Sequence, residues 1–251
     1  MNEELTRDAF LGGRLHLWQP RRGYRAGVDP VLLAASLPLV AGQALLDLGC
    51  GVGTAMLCAG TRVPGVEVTG VELQPDYAAL ARRNAAEAGI AAEVHHADLT
   101  DLPLQLRQRQ FDHVIMNPPY FERSRGARAS DAGRDTGRGG DTPLADWLDT
   151  GIRRVAPGGH LSVIQQTARL GEVLAALHGR LGSVIVQPLS ARRDRDPHLV
   201  IVRARLGGRA AFRLRAPVVL HVGASHNHHG DDFTPAIAGV LRHGERLPID
   251  N

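Results

Sequence analysis

The sequence predicts an α/β fold, a mostly parallel sheet flanked by helices on both faces. Three observations carry that expectation. From residue 44 onward short apolar runs alternate with helical stretches of about ten to fifteen residues, the pattern of strands joined by crossover helices. A Gly-rich turn, GCGVG over 49–53, sits between the first apolar run and the next helix. No composition shift marks a boundary, so residues 1–251 read as a single domain.

Taken in order, residues 10–33 read as a strand or hairpin from Arg14 to Trp18, the turn PRRGYRAG, and a helix opened by Asp29-Pro30. Asp at an N-cap with Pro at the first helical position is a start signal. Behind it VLLAASLPLV is apolar almost all round, as a packed helix should be. ALLDL (44–48) is the next strand and TAMLCAGTRV (54–63) its helix. VEVTGVE (66–72), AEVHHAD (92–98) and FDHVIMN (111–117) continue the strands, with a helix from Pro75 to about Ala88 between the first two. Residues 122–141 break the rhythm with Gly, Arg, Asp and Ser and read as a flexible loop. The rhythm resumes with a helix over 143–155, the turn Pro157-Gly158-Gly159, a strand over 160–164, a helix over 168–180 and strands near 183–188 and 198–205. AFRLRAPVVLHV reads as one further extended segment and PAIAGVLRHG as a closing helix.

Composition narrows the class. Among 251 residues, 43% are hydrophobic and only 4% aromatic, so the core is built from Leu, Val, Ala and Ile. The formal charge of +3 is too small to identify a nucleic-acid partner by itself. Cys50 and Cys58 are too few for a disulfide framework and lack metal-ligand spacing, which suits a reduced, cytoplasmic protein without a metal. No run approaches the ~18 apolar residues of a membrane span, and MNEELTRDAF is acidic where a signal peptide would be basic.

Asn117-Pro118-Pro119-Tyr120 comes directly after the apolar run Val114-Ile115-Met116 and so falls where a buried strand ends. The Asn117 side-chain carbonyl and the Pro118 carbonyl are adjacent acceptors, and two prolines hold the backbone extended. Two acceptors side by side suit an exocyclic amino group, and the Tyr120 ring can lie against a nucleobase. Alone, the stretch is equally readable as a Pro-Pro turn.

Asp47-Leu48-Gly49-Cys50-Gly51-Val52-Gly53 joins a strand to a helix, with Thr54 where a dinucleotide fingerprint needs Gly. It resembles motif I of the class I S-adenosylmethionine-dependent methyltransferases. That resemblance implies a Rossmann-like fold with a seven-stranded sheet and S-adenosylmethionine as cofactor. Glu72, ending the second strand, would accept the ribose hydroxyls. Asp98, ending the third, would accept from the adenine amino group while the Leu99 N–H serves a ring nitrogen. Asn-Pro-Pro-Tyr resembles motif IV of enzymes that methylate planar nitrogens, adenine N6 and glutamine N5 among them, and implies catalytic roles for Asn117, Pro118 and Tyr120.

More specific still, GYRAGVDPVLL near the N-terminus and the RARLGG tail, together with motif I and NPPY, resemble the bacterial tRNA(Val) adenine-N6 methyltransferases, which modify adenine 37 beside the anticodon. The resemblance implies that residues 1–40 cover the site and that Arg25 and Asp29 neighbour the cofactor; Asp29 is also readable as an ordinary N-cap. It implies RNA, and tRNA in particular, as partner, with Pro119, Tyr120, Phe121, Arg123, Arg125 and Arg128 at the substrate. Arg134 and Arg138 complete a locally basic arm, with a solvated linker as the other reading, and Arg192, Arg193 and Arg195 extend the basic surface. SHNHHG in the tail departs from the family pattern; His226, His228 and His229 read as a solvated loop sooner than a metal site. Two alternatives stay open: a glutamine-N5 methyltransferase of a protein, which would carry a helical domain where only about 40 residues precede motif I here, and a cofactor-binding RNA-binding protein without turnover. Oligomeric state is not fixed by the sequence.

Overall fold

The computed structural model describes residues 4–120, 142–223 and 232–249. The chain opens with a hairpin in which β1 (Leu5–Phe10) pairs antiparallel with β2 (Leu15–Pro20). Only β2 is legible in the sequence, because the half-exposed LTRDAF becomes a strand through its pairing. Leu15, Leu17 and Gln19 alternate inward along β2. Helix α1 (Asp29–Ser36) is buried from Pro30 onward, as its all-apolar surface requires. Arg62 Nη2 donates to the Ala34 and Leu37 carbonyls, satisfying the α1 C-terminus at 2.9 Å each.

The expected alternation continues as β3 (Ala44–Leu48), α2 (Thr54–Arg62), β4 (Glu67–Glu72), α3 (Pro75–Glu87), β5 (Ala92–His96), the unanticipated short α4 (Leu104–Gln108) and β6 (Phe111–Met116). Pairing is parallel, with Leu48 opposite both Val71 and Met116. Strands β3, β4 and β6 therefore end in line, and the loops leaving them meet at a common rim.

Beyond residue 141 come α5 (Leu144–Arg154), β7 (Val155–Gln166), α6 (Leu170–Leu177), β8 (Gly182–Ser190), β9 (Leu199–Arg205), β10 (Arg213–Leu214), β11 (Val218–Val219) and α7 (Pro235–His243). Pro157-Gly158-Gly159, expected as a turn, lies inside β7 as a bulge: Phe111 faces Val155, but His113 already faces His160. The single extended segment expected near 211–222 breaks into two two-residue strands.

Among the described residues the main sheet has nine strands, in the order β10-β8-β9-β7-β6-β3-β4-β5, with β11 also on β8. The seven expected strands are β3 to β9; β10 and β11 lengthen one edge. Strand β9 runs antiparallel to both neighbours because a loop over 191–198, not a crossover helix, links it to β8. One core lies under α1, α2, α3 and α7, the other under α4, α5 and α6. Among the described residues no helix is long and apolar enough to cross a membrane.

Below the rim, His113 and His160 stack with centroids 5.3 Å apart. Burial, aided by His160, pushes His113 down to about 4, and burial and Arg203 do the same to His160. Unfolded histidines titrate near ~6.5, so below that pH the unfolded chain binds protons that the folded chain refuses. Stability is expected to fall as pH drops from about 6.5 toward 4, His113 accounting for on the order of 1–2 kcal/mol by pH 5. Thermal unfolding at pH 7 and pH 5 checks this: His113→Gln should show a smaller loss than wild type, and equal losses would contradict it.

Candidate active site

A cavity of about 930 Å³ opens at the carboxyl ends of the parallel strands, where ligands of open α/β sheets sit. The loop after β3 forms one wall. Gly49, Gly51 and Gly53 all have positive φ, at 68°, 57° and 91°, a region costly to other residues. A Cβ on Gly49 would lie 2.3 Å from the Trp147 ring. Glycine is required there twice over.

Glu72 braces that loop from the end of β4. Its Oε2 accepts the Gly51 N–H at 2.9 Å and its Oε1 the Gln74 N–H at 2.8 Å. Burial raises its pKa, and these N–H groups pull it back. Each oxygen keeps acceptor capacity. Asp47, 2% exposed, accepts the Met56 N–H of α2 at 3.2 Å. Burial pushes it up to about 8, and the Glu72 charge adds to the effect. Asp98 lies two residues past the end of β5, where its Oδ1 takes the Thr100 N–H at 2.8 Å and hydroxyl at 2.7 Å while the residue still lines the cavity. Leu99, beside it, is buried with its carbonyl accepting from Thr150 of α5 at 3.2 Å.

Asn117 leaves β6 directly into the same cavity, followed by buried Pro118, exposed Pro119 and half-buried Tyr120. Asn117 Nδ2 faces the Tyr24 hydroxyl at 3.5 Å. With its amide nitrogen so directed, the Asn117 carbonyl is the atom left to accept. The Tyr120 hydroxyl donates to Asp29 Oδ2 at 2.5 Å, and burial followed by the Asp29 charge holds its pKa well above the usual range.

That contact corrects the N-cap reading of Asp29. Val28 stands before the helix, Asp29 is its first residue, and the carboxylate makes no cap hydrogen bond. Arg25 lines the cavity, but its guanidinium is held by Asp8 at 2.6 Å and by Thr6 and the Pro20 carbonyl, so its charge belongs to the hairpin. Arg192, expected on the basic surface, is buried: it pairs with Asp232 at 2.5 Å and donates to the Val222 and Gly223 carbonyls. Arg193 and Arg195 are exposed. Phe121, Arg123, Arg125, Arg128, Arg134, Arg138 and the histidines of SHNHHG lie outside the described residues.

Three residues of the site escaped sequence reasoning. Asn84 of α3 is fully buried; its Oδ1 accepts the Trp18 N–H at 2.8 Å, and its Nδ2 donates to Trp18 O at 3.1 Å and Val52 O at 2.9 Å. One amide thus joins the hairpin, α3 and the loop. Tyr24 meets Asn117, and its own carbonyl accepts from the Tyr77 hydroxyl at 3.1 Å. Trp147 closes the wall opposite Gly49, with Nε1 buried and unpartnered among the described residues. Asn84 alone left a signal, a polar residue on the inner face of a helix.

These residues fit the cofactor expected from the sequence. Three carboxylates at successive strand ends suit a ligand bearing cationic groups and hydroxyls, and an orphaned indole N–H and left-handed glycines leave room for close approach.

Comparisons with known proteins agree. A methyltransferase-domain family model matches residues 45–130. The chain is 34% identical over 165 residues to a tRNA1(Val) (adenine(37)-N6)-methyltransferase of Shewanella halifaxensis, covering 64% of this chain and 66% of that protein. A protein of the same name from Shewanella baltica is 32% identical over 188 residues, covering 72% and 77%. With the Yersinia enterocolitica counterpart identity is 37% over 55% of this chain and 57% of that one. The match thus spans a little under two thirds of some of these relatives. Among solved structures, a predicted O-methyltransferase from Agrobacterium tumefaciens superposes with a TM-score of 0.71 at 28% identity, over 89% of this chain and 100% of that one. A 16S rRNA guanine-N2 methyltransferase of T. thermophilus shares the fold at a TM-score of 0.56 and 19% identity, over 80% and 50%.

Asn84→Ala should leave the Trp18 N–H and Val52 carbonyl unpaired, at roughly 1–3 kcal/mol for each buried group. Titration calorimetry with S-adenosylmethionine should show at least about tenfold weaker binding in Asn84→Ala and in Glu72→Ala while circular dichroism stays native. Unchanged affinity in both would place the pocket elsewhere.

Proposed function

The chain belongs to the family of the tRNA1(Val) (adenine(37)-N6)-methyltransferases, and on that premise we propose that it transfers a methyl group from S-adenosylmethionine to the exocyclic N6 of an adenine in tRNA, adenine 37 beside the anticodon. The observation that carries the reading is that Asn117-Pro118-Pro119-Tyr120 and the motif I loop line one cavity.

The cofactor supplies a methyl on a positively charged sulfur, so the transfer needs neither a metal nor a covalent enzyme intermediate. Asp47, Glu72, Asp98 and Leu99 are the residues that would hold it, Glu72 at the ribose and Asp98 with Leu99 at the adenine. The work left to the protein is alignment at the acceptor nitrogen. An adenine amino nitrogen is a poor nucleophile because its lone pair is delocalised into the ring. The Asn117 and Pro118 carbonyls accept its two hydrogens and so favour the geometry in which the lone pair points out of the ring plane. Asn117 and Pro118 would hold the amino nitrogen toward the methyl that the bound cofactor would supply, and the amino group would give up one proton to solvent. Tyr120, held by Asp29, stacks on the base, and Tyr24 keeps the Asn117 amide turned. Two carbonyl acceptors for one planar amino group also separate this chemistry from O-methylation, which needs a base for a hydroxyl. A base in an anticodon loop is extruded at low cost because it is unpaired. Arg123, Arg125 and Arg128 come after the catalytic stretch in sequence and would take the phosphates. We place the reaction in the cytoplasm, with tRNA.

Label from radioactive S-adenosylmethionine should appear in tRNA as N6-methyladenosine on nucleoside mass spectrometry, and label in protein instead would sink the RNA assignment. Asn117→Ala is expected to lose at least ~100-fold in rate with cofactor affinity nearly intact, as for loss of a preorganised polar group. Asp47, pushed up to about 8, is mostly protonated at pH 7. A cationic cofactor favours its ionised form, so binding should release up to about one proton and tighten as pH rises toward 8. Calorimetry in buffers of different ionisation enthalpy measures that release; Asp47→Asn should abolish it.

A further inference from the structure

From residue 197 to residue 230 the sequence contains no Asp or Glu but five arginines. Arg203 is spent inside the fold, 3% exposed with Nη1 on the Ser36 carbonyl. Arg205 ends β9 with Nε on the Gly158 carbonyl, whereas Arg209 and Arg213 are exposed and Arg215 is half-buried, in or beside β10 on the outer edge of the sheet. Between them Phe212 and Leu214 stand 56% and 66% exposed. At alternate positions of an extended chain they point the same way and form an apolar strip bordered by cations.

The path of this segment matters. β10 pairs with β8 at Ile185 and Val186, and β11 pairs with it at Leu189 and Ser190, so the chain climbs the flank of the sheet toward its rim. β8 is antiparallel to β9 and β9 to β7, hence Ser190 ends at the same rim as Met116 and the catalytic stretch. Four strand spacings separate β10 from β6, about 19 Å at ~4.8 Å each. A nucleic-acid strand carries a phosphate every ~3.4 Å, so this span corresponds to about six phosphates.

We propose that the edge from Arg209 to Val222 is a second contact surface for the RNA substrate, taking its backbone on Arg209, Arg213 and Arg215 and an unpaired base on Phe212, while the target base occupies the cavity. The inference rests on the RNA reading of the active site and deepens it. A second copy of the chain is the other natural occupant of an exposed edge strand. Pairing two copies of this edge would bring arginines against arginines, which an RNA backbone instead neutralises.

Fluorescence anisotropy with labelled tRNA across 50–200 mM salt is the test. Arg209→Ala with Arg213→Ala should weaken binding about tenfold and flatten the slope of log affinity against log salt by about 1.5, near 0.7–0.9 per phosphate contact. S-adenosylmethionine affinity and kcat at saturating tRNA should hold, with KM for tRNA rising. Arg209→Lys with Arg213→Lys should keep the salt slope, which separates charge from folding. An unchanged slope in the alanine variant overturns the proposal. So does a wild-type dimer in sedimentation that Phe212→Asp breaks without altering tRNA affinity. Wild type that binds S-adenosylmethionine but no tRNA would instead bring down the RNA reading itself, a result unlike a loss confined to the edge variants.

Discussion

The buried Glu72 carboxylate is the contact on which the site depends. A loop of glycines with left-handed backbone has no conformational reason to stay in one place, since the same freedom that admits its geometry admits others. Glu72 removes that freedom by accepting N–H groups from Gly51 on one side and Gln74 on the other. A carboxylate in low dielectric is costly unless its lone pairs are filled, so the two loops and the acid hold one another. The parallel register that puts Leu48 opposite Val71 brings the acid within reach of the loop.

A second set of contacts draws the N-terminal segment over this centre. Trp18 is fixed to α3 by Asn84 through its backbone and by Glu87 through its indole N–H, with Arg83 4.1 Å above the ring. From there the chain passes Tyr24, whose hydroxyl meets Asn117, and Asp29, whose carboxylate takes the Tyr120 hydroxyl. Cofactor loop and acceptor stretch, 66 residues apart between Gly51 and Asn117, are thus both tied to residues 18–29, the loop through Asn84 and the acceptor stretch directly.

How far the molecule is legible in its sequence varies with the range of the interaction. β3 through β6 and the motif I turn stand where the pattern puts them, because continuous apolar runs, a Gly-rich turn and helix starts are local signals. β1 is invisible there, since its half-exposed residues acquire a strand only by pairing with β2. The bulge within β7 reads as a turn because Pro-Gly-Gly looks alike in both settings. Arg25 reads as a cofactor neighbour and Arg192 as a surface cation, yet each is paired with an acid elsewhere in the chain, Asp8 and Asp232. Charge in a sequence says nothing of the partner that neutralises it.

By itself, then, the sequence determined the alternation of strand and helix, the glycine loop with its acids at Asp47 and Glu72, and Asn117-Pro118-Pro119-Tyr120 at a strand end, with the methyl-transfer chemistry that the resemblance of these motifs implies. Tertiary structure alone decided which atoms of those residues are engaged: Asp29 on Tyr120 instead of a helix end, Glu72 on the loop it faces, Asn84 across three elements, and β10 with its arginines on an open edge. The reason is physical. Periodicity and turn chemistry act between residues a few positions apart, whereas hydrogen-bond partners and burial are set by packing among residues far apart in the chain, 91 positions for Asp29 and Tyr120 and 167 for Ser36 and Arg203.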